Sequence, residues 1–539
     1  MKKSIILSFL LIVVFTYNLS FAVTGDIVTS FPSPGTCPVG LTFDGKHLWV
    51  ADYKTDTLYQ IDPENGGIVN SLPSPGFRPS GLTWDGKYLW NVDLEENLIY
   101  QVDPETGTAV KTIFCPSSSP MGLCWDGKYL WVSDSRADKL YQLSTEDGTT
   151  IIELPSPSST PQGLCWDGKY LWVADRIEDK IFMITPDKGE VILYFESPES
   201  YARGLAWDGK YLWNVDYQSD RIYKIKIEDE DPFKRKDQKC QSLEFTNEFR
   251  NYGPGEVKDV NIYIAVPENL PNQELLAPVV FEPEPDDIIS DKWGQKVALF
   301  RFQDLKPTEF RRASMKAMAN IYQTDYFIFP EKVGSIADIP GEIKKKYLVD
   351  DTKFCIDDPF IKNSAEKVVG DEQNPYWIAR KLYNFVLANM HYELAGGWNI
   401  APAVLKRGSG SCSEYSFVYI ALCRASGIPA RYAGSVAIRG DDASQDDVFH
   451  RWCEIYLPNY GWIPVDPSGG DYDTPWHQAR AFGHLANRYL ITTVGGGGSE
   501  YLEWGYNSNE KWTSQGKCKV YTEHIGEWSP LEQGSKAKE

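Results

Sequence analysis

The chain has 539 residues, 42% of them hydrophobic, enough for packed cores and too many for a disordered chain. Lysine and arginine number 54 against 75 aspartates and glutamates. The resulting net charge of −21 repels phosphate backbones and anionic lipid heads, which argues against nucleic-acid binding.

In chain order, Lys2 and Lys3, the apolar run from Ile5 to Phe15 and the small-residue site Ser20-Phe21-Ala22 read as a secretory signal over residues 1–22. The expectation is an exported protein, secreted or periplasmic, with no later apolar run near the roughly 20 residues that span a bilayer. The remainder is enough for about three domains. Ten cysteines, at 37, 115, 124, 165, 240, 355, 412, 423, 453 and 518, form no CxxC pair and no metal-ligand pattern with the six histidines. No metal and no cofactor are therefore expected, although export would allow some thiols to oxidise.

Five copies of one motif follow, GLTFDGKHLWVAD, GLTWDGKYLWNVD, GLCWDGKYLWVSD, GLCWDGKYLWVAD and GLAWDGKYLWNVD, starting at Gly40, Gly81, Gly122, Gly163 and Gly204. Each Asp-Gly pair between apolar runs marks a tight hairpin, and four short strands fit each repeat, the size of a propeller blade. The fifth repeat stops after its third strand, while Gly25 to Phe31 looks like an orphan fourth strand. The spacing therefore predicts a ring of five blades over residues 23–228, closed by the first strand of the chain. Nine tryptophans recur between blades as packing residues. Asp52, Asp93, Asp134, Asp175 and Asp216 recur too, either to cap turns or to ring a calcium ion. The motif copies show no departure from regularity that would mark an active site in the ring.

The charged stretch from Glu228 to Asp237 reads as a linker. Beyond it, alternation at Val260, Ile262, Ile264 and Val266, and in the runs 297–302 and 321–329, predicts a β-sandwich over 238–333 that serves as a spacer.

The last segment, 334–539, carries the chemistry. Ser411 followed by Glu414 is a capping box, so Cys412 opens a helix that ends near Gly427, and a helix N-terminus stabilises a thiolate. Cys423, further along, reads as a buried apolar residue. Downstream, HRWCEIYLPNYGWIPVDP forms a hairpin with His450 at one end and Asp466 at the other, which brings imidazole and carboxylate together. His477 and His484 lie outside these patterns and read as ordinary polar residues. The acidic run from Asp441 to Asp447 is either a solvated loop or a feature favouring a cationic substrate.

The stretches GSCSEYSFVYIALCRASGIPARYAG and HRWCEIYLPNYGWIPVDP resemble the transglutaminase-like superfamily of papain-type thiol enzymes, as does an upstream helix capped by Asn374-Pro375 with Ile378, Leu382, Phe385 and Val386 inward. The repeats, with WDGKYLWV, resemble five-bladed propellers of the glutaminyl cyclotransferase kind. These resemblances imply a multidomain chain: an all-β five-bladed propeller, a β-sandwich, and an α+β catalytic domain with a C-terminal extension. They place the nucleophile on Cys412, the base on His450 and the orienting acid on Asp466, with Trp398 and Tyr392 as candidates for the oxyanion hole. The implied activity is that of a cysteine peptidase or amidase on a protein or peptide substrate, with the propeller holding a macromolecular target. A cross-linking acyl transferase and a non-catalytic binding protein are the alternatives, and the oligomeric state stays open.

Overall fold

The computed structural model describes residues 23–227, 231–394 and 398–531. The segment read as a secretory signal, and Glu228 to Glu230 of the charged stretch, lie outside the described residues.

Residues 27–226 form a five-bladed propeller of five four-stranded antiparallel sheets. Four sheets are continuous in sequence, and the fifth joins 202–226 to Ile27–Pro32, which pairs with the third strand of that blade from Ile27↔Ile225 to Pro32↔Arg221. Ring closure is therefore made by backbone hydrogen bonds between the two ends of the array, which give the last blade its fourth, outermost strand.

The motif explains its own conservation of form. In the second copy, the Asp85 carboxylate accepts from the N–H groups of Lys87 and Tyr88 at 2.8 and 2.7 Å and from the Trp90 indole at 2.7 Å, so one side chain fixes both the turn and the buried ring. The same indole bond recurs from Trp49, Trp131, Trp172 and Trp213, all buried, and these rings are packing rather than ligand surface. The second recurrent aspartate caps the following turn. Asp52, for example, accepts from the N–H groups of Cys37, Lys54 and Thr55. Among the described residues, no cluster of three or more ligating side chains is arranged to hold a metal.

The first glycine of each motif stands where the innermost strands meet around the channel. A Cβ on Gly163 would lie 2.0 Å from the Arg203 carbonyl oxygen, and one on Gly204 would lie 2.5 Å from the Leu41 nitrogen, across the closure.

The charged stretch is not a linker throughout. From Phe233 it is already strand, because Lys234 and Lys236 reach carboxylates on both sides (Asp26 at 2.7 Å, Asp325 at 3.0 Å). The long strand Phe233–Ala265 pairs first with Phe310–Tyr326, then, past an irregularity at Asn251 to Glu256, with Lys296–Leu305. Its two halves share one core of Phe245, Phe249, Val260, Ile262, Met315 and Phe300. The last strand, Ser508–Pro530, which the sequence groups with the thiol segment, runs beside Phe233–Ala265 from Gln241↔Pro530 to Ile264↔Ser508.

The thiol segment places helices Pro375–Asn389 and Cys412–Ala425 against a four-stranded sheet ordered Gly461–Val465, His450–Leu457, Ala430–Ala437, Tyr489–Gly495. All ten cysteines are free thiols. No helix among the described residues is long and apolar enough to cross a membrane.

If closure depends on that glycine contact, Gly204→Val, whose side chain cannot fit against Leu41, should destabilise the intact protein by about 1–3 kcal/mol or more. Thermal unfolding of the full chain checks this, and an unchanged midpoint would contradict the packing described.

Candidate active site

Cys412 is the first residue of its helix, and its N–H belongs to the first turn, which an α-helix leaves without an internal acceptor. Ser411 stands at the N-cap position, and its backbone N–H donates to the buried Glu414 carboxylate at 3.3 Å. Glu414 does more than cap. Its carboxylate also takes the Arg407 guanidinium at 2.7 Å and the Asn399 N–H at 3.0 Å, so the loop carrying Trp398 is tied to the first turn beside the thiol.

His450 opens the strand that packs on this helix, and Asp466 follows the neighbouring strand. His450 Nε2 lies 2.6 Å from Asp466 Oδ2, and Asp466 Oδ1 accepts from Ser468 Oγ and the Gly469 N–H at 2.8 and 2.9 Å. The imidazole stacks on Tyr489 with ring centroids 5.5 Å apart. With Nε2 committed to the carboxylate, Nδ1 is the nitrogen left for Cys412.

The electrostatics of the three groups interlock. Burial alone would raise the Cys412 thiol, but the hydrogen bond and charge of His450 and the Arg451 N–H hold it below the ordinary thiol value. Burial likewise works against a charged imidazole, yet the adjoining Asp466 carboxylate raises His450 well above the usual range. Asp466, disfavoured as an anion by burial, is held below the ordinary carboxylate value chiefly by the charge and hydrogen bond of His450. The thiolate–imidazolium pair is thus favoured between a lowered thiol value and a raised imidazole value. Activity that needs the pair rises as pH climbs through the first and falls as pH passes the second.

The sequence reading gives Phe449 and Arg451 no role and includes Asp446 only within an acidic run. Phe449, just before the histidine, has φ 59°, a left-handed conformation unfavourable for a bulky side chain. It is held there by Asp446, whose Oδ1 accepts from the N–H groups of Val448 and Phe449 at 3.3 and 3.0 Å and from Arg439 Nε at 2.9 Å, while Oδ2 accepts the Ala437 N–H at 2.7 Å. Asp446 is buried and Asp442 is paired with Lys239 at 2.7 Å, so these two carboxylates of the acidic run serve the fold rather than a cationic substrate. Arg451 is fully buried among aromatic rings, its guanidinium 4.3 Å from the centroid of Tyr506 and 4.5 Å from that of Tyr432. The only sequence signal for either group is proximity to His450.

Of the two oxyanion candidates, Tyr392 is half exposed and feels the charges of Cys412 and His450, although burial is the larger influence on its phenol. Its N–H donates to Asp471 at 2.8 Å, and Asp471 also takes the Tyr415 hydroxyl at 3.0 Å. Trp398 lies over Arg451 at 5.1 Å. His484 is paired with Asp325 at 2.5 Å, which joins this segment to the middle sheet, and His477 is bonded to Thr474. A cavity of about 420 Å³ opens beside Asp466 and Tyr489, and neither Cys412 nor His450 lines it.

Comparison with known proteins places this geometry. Residues 362–467 match the model of the transglutaminase-like superfamily. An uncharacterised protein of Haemophilus influenzae is 27% identical over 132 residues, a match spanning 20% of this chain and 36% of that relative. Among solved structures, a Cytophaga hutchinsonii protein provisionally named a cysteine protease aligns with TM-score 0.39 and 16% identity over 54% of this chain and 92% of its own. Myxococcus xanthus glutaminyl cyclase aligns with TM-score 0.35 and 17% identity over 39% of this chain and 99% of its own.

Asp446 is expected to set the histidine. Asp446→Ala should slow alkylation of Cys412 at neutral pH by about tenfold while leaving Cys412 the preferred site, because misplacing a catalytic group by about 1 Å costs up to about 10²-fold. Mass-spectrometric peptide mapping after iodoacetamide treatment reads both quantities. An unchanged rate would contradict the clamp, and faster labelling of the buried Cys124, Cys165, Cys423 or Cys453 would contradict the assignment of the reactive thiol. Cys412, His450 and Asp466 all lie within the segment 362–467 that matches the model of the transglutaminase-like superfamily.

Proposed function

We propose that the protein is an exported thiol enzyme that cleaves amide bonds of proteins through Cys412, His450 and Asp466. The observation that carries this reading is the 2.6 Å bond between Asp466 and an imidazole that in turn bonds the thiol at a helix N-terminus. A scaffold has no use for a buried thiol held below its ordinary value.

The chemistry follows from the placement. The Cys412 sulfur attacks the carbonyl carbon, a C–S bond forms, and the carbonyl electron pair moves to oxygen, where the Cys412 N–H is positioned to receive it. On collapse the C–N bond breaks, and the departing amine takes the proton held by His450, leaving a thioester. Asp466 fixes the imidazole ring and stabilises its cation without taking its proton. Water then attacks the thioester while His450 accepts its proton, and the acid is released with the thiol restored. An amine in place of water would give a cross-link from the same intermediate.

The propeller is proposed to hold the target. It is not simply detachable, however. Arg380 of the thiol segment is buried with Nη2 donating to the Val191 carbonyl at 3.1 Å, and Trp476 packs on Tyr194 with ring centroids 4.5 Å apart. Removing the ring would expose both, so its role is better tested by surface substitutions in the whole chain.

Product analysis decides the reaction. Incubated with a generic peptide amide, with and without an added primary amine, the protein should release mainly the free acid. Cys412→Ser should lower kcat/KM by at least about 10³-fold, in line with losses at covalent nucleophiles. Undiminished turnover in Cys412→Ser would overturn the mechanism, and a product dominated by amine adduct would convert the reading to acyl transfer.

A further inference from the structure

The propeller repeats are regular in their motif but not at the end of the channel where the innermost strands begin. Three positions there vary around the ring: Cys, Arg, Ser, Thr, Tyr at 37, 78, 119, 160 and 201; Val, Ser, Met, Gln, Arg at 39, 80, 121, 162 and 203; and Tyr, Leu, Ser, Arg, Tyr at 53, 94, 135, 176 and 217. Of the basic and aromatic departures, Arg78 on blade two lies 3.9 Å from Glu95 and 5.6 Å from the Tyr53 ring centroid, while Arg176, Tyr201, Arg203, Tyr217 and Tyr53 stand on blades four, five and one, which ring closure makes neighbours.

There the Arg176 guanidinium lies 5.1 Å from the Tyr201 ring centroid with Nη1 2.7 Å from its hydroxyl, and Arg203 lies 5.1 Å from the same ring and 5.6 Å from Tyr217. Tyr217 in turn stacks on Tyr53, hydroxyl to hydroxyl at 3.1 Å. Arg203 Nη1 donates to Gln162 Oε1 at 2.6 Å, but its buried Nε has no partner. Among the described residues neither Arg176 nor Arg203 is ion-paired with a carboxylate within 4.0 Å, although Arg176 directly follows the recurrent Asp175. The nearby Asp216 is spent on backbone, accepting from the N–H groups of Tyr201, Gln218 and Ser219. Burial lowers the proton affinity of Arg203, and the like charge of Arg176 adds to that. Two guanidiniums thus share the Tyr201 ring with no carboxylate ion-paired to either within 4.0 Å among the described residues. An anion is what such a site lacks.

The rim narrows the class of ligand. Phe77 is 77% exposed and Ile177 is 59% exposed, on the loops at this same end. The tyrosine faces that would stack on a sugar are engaged by guanidiniums and by each other, so charge and exposed aliphatic and aromatic surface are what the mouth offers. We propose that this end of the channel binds an acidic segment of a protein or peptide, its carboxylate taken by Arg176 and Arg203 and its apolar side chains resting on Phe77 and Ile177. This deepens the reading of the propeller as the part that holds the target.

Fluorescence anisotropy on the full-length protein tests it, with a fluorescein-labelled peptide of alternating glutamate and leucine, its glutamine counterpart, and polyglucuronate as competitor. The glutamate peptide should bind, lose affinity as salt rises, and bind about tenfold or more tighter than the glutamine peptide, since hydrogen bonds to a charged group are stronger than neutral ones. Arg176→Gln and Arg203→Gln should each weaken it by about tenfold, and Phe77→Ser, on an exposed loop where folding is not at risk, should weaken it severalfold. The inference is overturned if no peptide binds, if glutamate and glutamine peptides bind alike, if Arg176→Gln and Phe77→Ser both bind as the parent does, or if polyglucuronate is taken and the peptide ignored. Alkylation of Cys412 is read in parallel. An inert thiol beside intact peptide binding sinks the enzyme reading alone, whereas a reactive thiol with no peptide binding sinks this one alone.

Discussion

Moving a cysteine out of water favours the neutral thiol, so a cysteine that is only 9% exposed ought to be inert. Cys423, on the same helix and fully buried, behaves that way: burial pushes its thiol up. Cys412 goes in the opposite direction because it alone stands at the helix N-terminus with an imidazole and a backbone N–H aimed at it. The thiolate depends on the imidazolium, which depends on Asp466. Much of the surrounding structure serves to keep these three groups within hydrogen-bond reach while water is largely shut out.

That demand reaches far from the sulfur. The histidine strand is the second of four in its sheet, and that sheet shares core residues Val436, Ile438 and Leu490 with the folded middle sheet. Trp528, from the last strand of the chain, donates its indole N–H to the Ala437 carbonyl at 3.0 Å. Asp446 pins the backbone ahead of His450 and bonds the same strand through the Ala437 N–H. The middle sheet is therefore a support under His450 as well as a spacer. On the other side, Trp476 and Arg380 fasten the thiol segment to blade four through Tyr194 and Val191.

Local patterns made the greater part of this legible. Identical motifs at a fixed interval, an orphan strand at one end and a missing one at the other are enough to foresee five blades and the way they close. A capping box followed by helical spacing places Cys412, and a hairpin with polar ends places His450 beside Asp466. What escaped are features made by long-range pairing. The partner of Ser508–Pro530 is a strand more than two hundred residues earlier, and alternation alone cannot name a partner. Lys234 and Lys236 read as linker because their counter-charges, Asp26, Glu196 and Asp325, come from distant segments. Asp446 looked like one more solvated acid, since nothing local shows that it turns inward. The ring-mouth arginines hid behind the regularity of the motif, being among the positions where the copies differ.

The central claim is that a buried thiol is ionised by its neighbours, and titration of thiolate absorbance in the ultraviolet tests it most directly. The difference spectrum between the parent protein and Cys412→Ala should show one thiolate forming well below pH about 8.5, the ordinary thiol value. In His450→Ala the same signal should move above that value, because burial remains while the opposing charge and hydrogen bond are gone. A thiolate that forms only above the ordinary value in the parent protein, or one indifferent to His450, would contradict the account.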